Sequence, residues 1–136
     1  MYETFEHTAD LGLRVTATDL PALFCEAAKG LFSIIVADPR SVVAREQLRL
    51  EVPGQRHDEL LFDWLSELLY LFESKRMLLA EFEVEIDAHG LRATVTGEPW
   101  EPSRHLLEHE VKAITYHRLK VERTSNGWLA EVIVDI

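Results

Sequence analysis

Each strand-like stretch of this 136-residue chain is half polar, and that property narrows the fold before anything else does. From Phe5 to Val15 the odd positions Phe5, Ala9, Leu11, Leu13 and Val15 alternate with Glu6, Thr8, Asp10 and Arg14. Leu48, Leu50 and Val52 alternate with Gln47, Arg49 and Glu51, and Phe82, Val84 and Ile86 with Glu81, Glu83, Glu85 and Asp87. Such a period of two describes strands that bury one side and wet the other. A doubly wound parallel sheet needs near-continuous apolar strands and is therefore excluded. Two stretches switch to helical spacing. Leu20, Leu23, Phe24, Ala27, Leu31, Phe32 and Ile35 follow a cap at Thr18 or Asp19 and a first-turn Pro21. Leu60, Leu61, Trp64, Leu65, Leu68, Leu69, Leu71 and Phe72 follow Asp58 and Glu59, acids suited to a helix N-terminus.

Turn chemistry places the rest. His89-Gly90 separates the acidic strand from Leu91, Ala93 and Val95, which predicts a hairpin, and Asn126-Gly127 predicts a second one between Thr115–Glu122 and Trp128–Ile136. Between them Glu98-Pro99-Trp100-Glu101-Pro102-Ser103 reads as a loop, because proline cannot donate to a sheet ladder. The order strand, helix, strand, helix, two hairpins predicts one α+β domain over residues 1–136, a mixed sheet of roughly six strands with two helices packed on one face.

Hydrophobic residues at 47% and charged residues at 28% exclude a disordered chain. Lysine and arginine total 14 against 24 acids, a net charge of −10 that repels phosphate backbones, so stable direct nucleic-acid binding is not expected. The single Cys25 cannot form an internal disulfide and sits in the apolar stripe of the first helix, as a structural thiol would. No apolar run of about 18 residues predicts a membrane span, and no leader precedes Tyr2, so a cytoplasmic protein is expected. Neither a phosphate-cradling glycine loop nor a Gly-x-Ser-x-Gly elbow occurs. His105 and His109 have zinc half-site spacing, but the intervening Leu106-Leu107-Glu108 does not complete a His-Glu-x-x-His motif.

The end of the sequence is unusual. Trp128, Ala130, Val132, Val134 and Ile136 alternate to the final residue, where termini ordinarily fray. A strand ending at Asp135-Ile136 sets a side-chain carboxylate beside the α-carboxylate. A hard cation such as Ca²⁺, Mg²⁺ or Mn²⁺ would relieve their repulsion and complete its shell with Asp10 and water; the alternative is a solvated terminus. On the second helix Asp63, Ser66 and Glu67 form a polar stripe in which Asp63 and Glu67 repel at i, i+4, either a solvated edge or a ligand or partner site. The row Glu81, Glu83, Glu85 and Asp87 reads as a solvent face that discourages strand aggregation, or as a surface for a basic partner. Lys112, at the start of a strand, reads on its own as a surface charge.

Four motifs carry a family resemblance. Glu6-His7-Thr8-Ala9-Asp10-Leu11-Gly12, Trp64-Leu65-Ser66-Glu67-Leu68-Leu69-Tyr70-Leu71-Phe72, Val111-Lys112-Ala113-Ile114-Thr115-Tyr116-His117 and Val132-Ile133-Val134-Asp135-Ile136 resemble the archease family in order and span nearly the whole chain. The resemblance implies a small α+β protein that is not itself an enzyme. It implies an accessory role for an RtcB-type RNA ligase in tRNA splicing and RNA repair, promoting guanylylation of the ligase by GTP and its repeated turnover. It further implies a divalent cation, Ca²⁺ foremost in the isolated protein with Mn²⁺ or Mg²⁺ as alternatives, on Asp10, Asp135 and Ile136. Lys112 matches the lysine needed for ligase activation, while His7, Glu67 and His117 stand as polar neighbours of the site. Where asparagine is found in the central family motif, this chain has Ser66. Two other classes of function stay open: a stand-alone metal-dependent hydrolase with His7 or His117 as base, and a general chaperone or interaction module without a metal.

Overall fold

The structure is a computed structural model describing residues 1–7 and 9–136. Its two helices arise where the helical period predicts them. In α1 (Leu20–Ile35) the Asp19 carboxylate accepts a hydrogen bond from the Ala22 amide at 2.8 Å and Pro21 occupies the first turn. In α2 (His57–Lys75) Asp58 and Glu59 stand in the first turn, and the helix stops where Arg76 takes a left-handed φ of 55°. The helices meet in the core, where the buried Trp64 ring nitrogen donates to the Phe24 carbonyl at 3.0 Å.

The strands divide into two sheets, and every pairing described is antiparallel. One contains β1 (Tyr2–His7), β2 (Asp10–Ala17), β6 (Ala113–Ile114), β7 (Lys120–Thr124) and β8 (Gly127–Asp135); the other orders β3 (Glu46–Pro53), β5 (Gly90–Pro99) and β4 (Met77–Asp87). Both helices touch both sheets. The α+β class with two helices is therefore as the pattern predicts, but the single mixed sheet of roughly six strands becomes, among the described residues, two antiparallel sheets with eight strands.

The extra strands have local causes. The stretch expected as one strand from Phe5 to Val15 is a hairpin, with Tyr2 opposite Val15 and His7 opposite Asp10. Thr8, which belongs to that expected strand, lies outside the described residues. Pairing odd positions with even ones moves Phe5 off the core face: its ring lies directly over Gly12, where any Cβ would collide with it, and under the Arg14 guanidinium at 4.7 Å. The strand expected over Thr115–Glu122 is also broken. A two-residue strand has already ended at Ile114, before the expected start, Arg118 takes a φ of 56°, and pairing with β8 resumes only at Lys120. The acids Glu81, Glu83, Glu85 and Asp87 are placed as predicted, exposed along β4. Cys25 is half-buried with its thiol donating to the Phe82 carbonyl at 3.4 Å, and burial pushes its pKa up.

Residues 100–112 form no helix and no strand beyond an isolated bridge of Leu107 to Val36. This strap is nonetheless tied at both ends. At its start lies Glu98, fully buried, whose carboxylate accepts from Arg104 at 2.6 Å, from the Val43 amide at 2.7 Å, from Arg45 at 2.8 Å and from His105 at 2.9 Å. His105 Nδ1 accepts from the Glu101 amide, which fixes Nε2 as the nitrogen that donates to Glu98. His105 is thereby consumed inside the fold, away from any helix shared with His109. Further along, the Glu108 and His109 amides donate to the Ile35 and Ile34 carbonyls, satisfying acceptors that the end of α1 leaves open.

Two measurements check this packing. Gly97 sits where β4 bulges at Ala80, and a Cβ there would strike the Leu78 carbonyl, so Gly97→Ala should cost about 1–3 kcal/mol in urea unfolding. The Arg104 fork, with the Val43 amide, His105 and Arg45, outweighs burial and holds the Glu98 carboxyl well below the usual carboxylate range. The native state then binds that proton less tightly than the unfolded chain, where the group titrates near about pH 4.3, so its stabilisation is complete above that pH and drains away below it. Glu98→Gln should lower stability by about 3 kcal/mol at neutral pH. Its deficit against wild type should narrow as unfolding is repeated at pH 5, 4 and 3.

Candidate functional site at the end of β8

Strand β8 carries the site because it has partners on both edges up to its last residue. On one side Asp135 pairs with Asp10, the first residue of β2; on the other it pairs with Ala113 of β6. The Lys112 amide donates to the Asp135 carbonyl at 2.7 Å. The ladder thus brings Asp10, Asp135, Ile136 and Lys112 to one sheet end from three separate parts of the sequence.

Residues directly opposite in an antiparallel pair put their Cβ atoms about 4.5–5.5 Å apart on one face, and like charges so placed repel. Asp10 and Asp135 are such a pair, both half-buried. Among the described residues neither carboxylate is in an ion pair. Their chemistry suits a hard cation, which takes carboxylate and carbonyl oxygens and completes its shell with water. No three His, Cys, Asp or Glu side chains are grouped to hold a metal by themselves among the described residues, so a cation between these two acids would require oxygens beyond their carboxylates.

Two histidines border these acids. His7 closes the hairpin opposite Asp10, and its ring lies 5.1 Å from that of His117, tilted by 53°. His7 Nδ1 is buried without a hydrogen-bond partner among the described residues. His117 is held in the turn after β6, where its amide donates to Thr115 Oγ1, which itself donates to the Ile133 carbonyl at 2.8 Å. Lys112 is exposed. Glu67 is exposed on α2, and no hydrogen bond or ion pair joins it to the others among the described residues.

An aromatic pair beside the site escapes sequence reasoning. Tyr116, 64% exposed, stacks on Phe62 of α2 with ring centroids 3.9 Å apart and planes within 11°. Phe62 falls between the core positions of the helix, and only the juxtaposition of α2 with the β6–β7 turn reveals its partner.

No helix is long and apolar enough to cross a membrane among the described residues. The model of the Archease protein family (MTH1598/TM1083) matches residues 2–136. Protein archease of Methanopyrus kandleri is 42% identical over 139 residues, covering 99% of each chain, and that of Pyrococcus furiosus is 37% identical over 140 residues, covering 99% of this chain and 98% of that one. The solution structure of Methanobacterium thermoautotrophicum protein 1598 superposes with a TM-score of 0.84 at 33% identity, over 99% of this chain and 98% of that one. A Thermotoga maritima crystal structure, described as an archease and possible chaperone, shares the fold with a TM-score of 0.68 at 22% identity, over 100% and 98% of the two chains. With its motifs, its fold and a family match over nearly its whole length in agreement, this chain belongs to the archease family.

Proposed function

We propose that this protein is a non-catalytic activator of an RtcB-type RNA ligase, promoting ligase guanylylation and repeated turnover from the end of β8. The observation that supports this most is the register that sets Asp10 opposite Asp135 while the Lys112 amide is bonded to the Asp135 carbonyl. Asp10, Asp135 and Ile136 would hold a divalent cation through oxygen donors, Ca²⁺ in the isolated protein with Mn²⁺ or Mg²⁺ as alternatives. When bound, the cation supplies positive charge that neutralises phosphate oxygens. The two aspartates would fix its place because their strands are locked in the ladder, and Ile136, the residue after β8, would add to the set. Lys112 supplies a second positive charge, free of the cation, for a phosphate oxygen on which charge develops. The net charge of −10 steers the protein to a ligase surface that is basic where it holds RNA and nucleotide, in the cytoplasm, and away from RNA itself.

One observation favours a second reading. The unpartnered His7 Nδ1 beside His117 is a nitrogen that a hydrolase would use as a base. The same assays separate the two, since a hydrolase turns over alone and an activator requires the ligase.

Asp10→Asn should leave the cation-free protein as stable as wild type or up to about 1 kcal/mol more stable, because it removes a like-charge pair. With Ca²⁺ or Mn²⁺ at about 100 times Kd the wild type should gain about 2.7 kcal/mol in thermal or urea unfolding, and Asp10→Asn and Asp135→Asn should lose most of that gain. Equal gains in all three would remove the cation site.

Mixed with a ligase and GTP, the wild type should raise the rate of guanylylation, while alone it should release no phosphate from GTP. Lys112→Ala should keep its cation affinity, since an ammonium is no cation ligand, yet lose at least about tenfold in stimulation, the worth of one charged contact. GTP hydrolysis or RNA sealing by the isolated protein would favour the hydrolase.

A further inference from the structure

We propose that Glu98 is a positioning residue for Lys112, its buried carboxylate anchoring the strap of residues 100–112 that delivers Lys112 to the end of β8. This rests on the activator reading above for what Lys112 does, but not for the mechanical coupling itself.

The strap must cross from one sheet to the other. It leaves the three-stranded sheet at Pro99, the end of β5, and joins the five-stranded sheet at Ala113, the start of β6. Segments of this length without regular structure are uncommon inside a domain, and they stay ordered only when fixed at particular points. Besides the Trp100 amide on the Arg76 carbonyl at 2.7 Å and the buried Val111, three fixings hold it. The first is the Glu98 carboxylate, 0% exposed, which draws Arg104 and His105 from the strap and Arg45 and the Val43 amide from the segment before β3. The second is the end of α1, where the Ala37 amide donates to the Leu106 carbonyl and the Glu108 and His109 amides donate back to Ile35 and Ile34. The third is the Lys112 amide on the Asp135 carbonyl.

The first fixing is the strongest of the three. Arg104 meets both carboxylate oxygens, at 2.6 and 3.2 Å, a planar fork that lysine cannot reproduce. His105 is pinned on both ring nitrogens, by Glu98 at 2.9 Å and by the Glu101 amide at 2.8 Å, and its carbonyl accepts from the Trp100 ring nitrogen at 3.2 Å. The second fixing consists of neutral main-chain bonds, and the third is a single one. Loosening Glu98 therefore removes the charged anchor near the strap's origin, and the strap is then held by main-chain bonds, which open locally at lower cost, and by the burial of Val111 beside Lys112. Lys112 is exposed and no side-chain bond holds its ammonium among the described residues, so its backbone places it, running from the strap through the buried Val111 into the Ala113–Asp135 pairing of β6.

Amide hydrogen exchange on the intact protein tests the coupling without a ligase. In the milder Arg104→Lys the Glu108, His109 and Lys112 amides should exchange at least about fivefold faster while amides of the β2–β8 ladder change less. In Glu98→Gln, whose global stability is lower, those three amides should accelerate at least about fivefold more than the ladder does. In a guanylylation assay, maximal stimulation should fall towards that of Lys112→Ala with the half-saturating protein concentration unchanged. Adding Glu98→Gln to Lys112→Ala should bring no further loss, because both act through one ammonium. Unchanged exchange at all three amides in Arg104→Lys, acceleration spread uniformly over the molecule, or an additive loss in the double variant would each overturn the proposal. Should the wild type stimulate no ligase, the activator reading fails, and the exchange pattern still decides whether Glu98 holds the strap.

Discussion

The main-chain ladder of β8 is the constraint on which the site depends. A strand with partners on both edges must satisfy its amides and carbonyls to its end, and β8 does so with β2 on one side and β6 and β7 on the other. Ala130, Val132 and Val134 are fully buried on one face while Glu131 and Asp135 on the other are half-buried, which fixes the register, since a one-residue slip would turn the core set outward. Once register is fixed, Asp10 has no freedom to avoid Asp135. The acids face each other because the ladder and core packing place them there, and local electrostatics alone opposes the arrangement. A cation bound there would convert that repulsion into attraction, which is the physical ground of the proposed site.

The rest of the molecule serves to bring distant chain segments to that end. Both helices pack against both sheets, with Trp64 bonded to the Phe24 carbonyl at their contact, so the two sheets hold a constant relation. The strap depends on that relation, because it starts at Glu98 on one sheet and delivers Lys112 to the other. Its buried carboxylate is tolerable only because four separate partners donate to it, and it shows how a charged group in a core can serve placement as well as stability. Along β4, by contrast, Arg92 binds Glu85 and Asp87 at an exposed surface, where such pairs contribute little to stability.

How far the sequence speaks differs from residue to residue for identifiable reasons. The helices are legible because apolar residues recur at three and four over several turns, with Asp19 and Pro21 marking the start of α1. Asp135 stands out because alternation continues to the last residue. Apart from the family resemblance, only charge connects it to Asp10 in the sequence, and the register that places them opposite each other is a tertiary fact. The β1–β2 hairpin is hidden because Phe5 continues the alternation seen in Leu11, Leu13 and Val15 across the turn, although pairing puts it on the other face, over Gly12. Glu98 is hidden for another reason. It follows the alternating strand into a proline-rich stretch, where an acid suggests solvent, and its partners at 43, 45, 104 and 105 lie on segments with no pattern of their own. The Tyr116–Phe62 stack likewise joins a turn to a helix that the sequence treats separately.

Paramagnetic broadening by Mn²⁺ tests the central claim, that the end of β8 is where this protein engages a cation, most directly. Substoichiometric Mn²⁺ added to ¹⁵N-labelled protein should broaden the amides of Asp10, Lys112, Asp135 and Ile136 first, with His7 close behind, and excess Ca²⁺ should restore them. Broadening that starts instead at Glu81, Glu83, Glu85 and Asp87 on the other sheet, or that spreads evenly over all surface acids, would contradict the account.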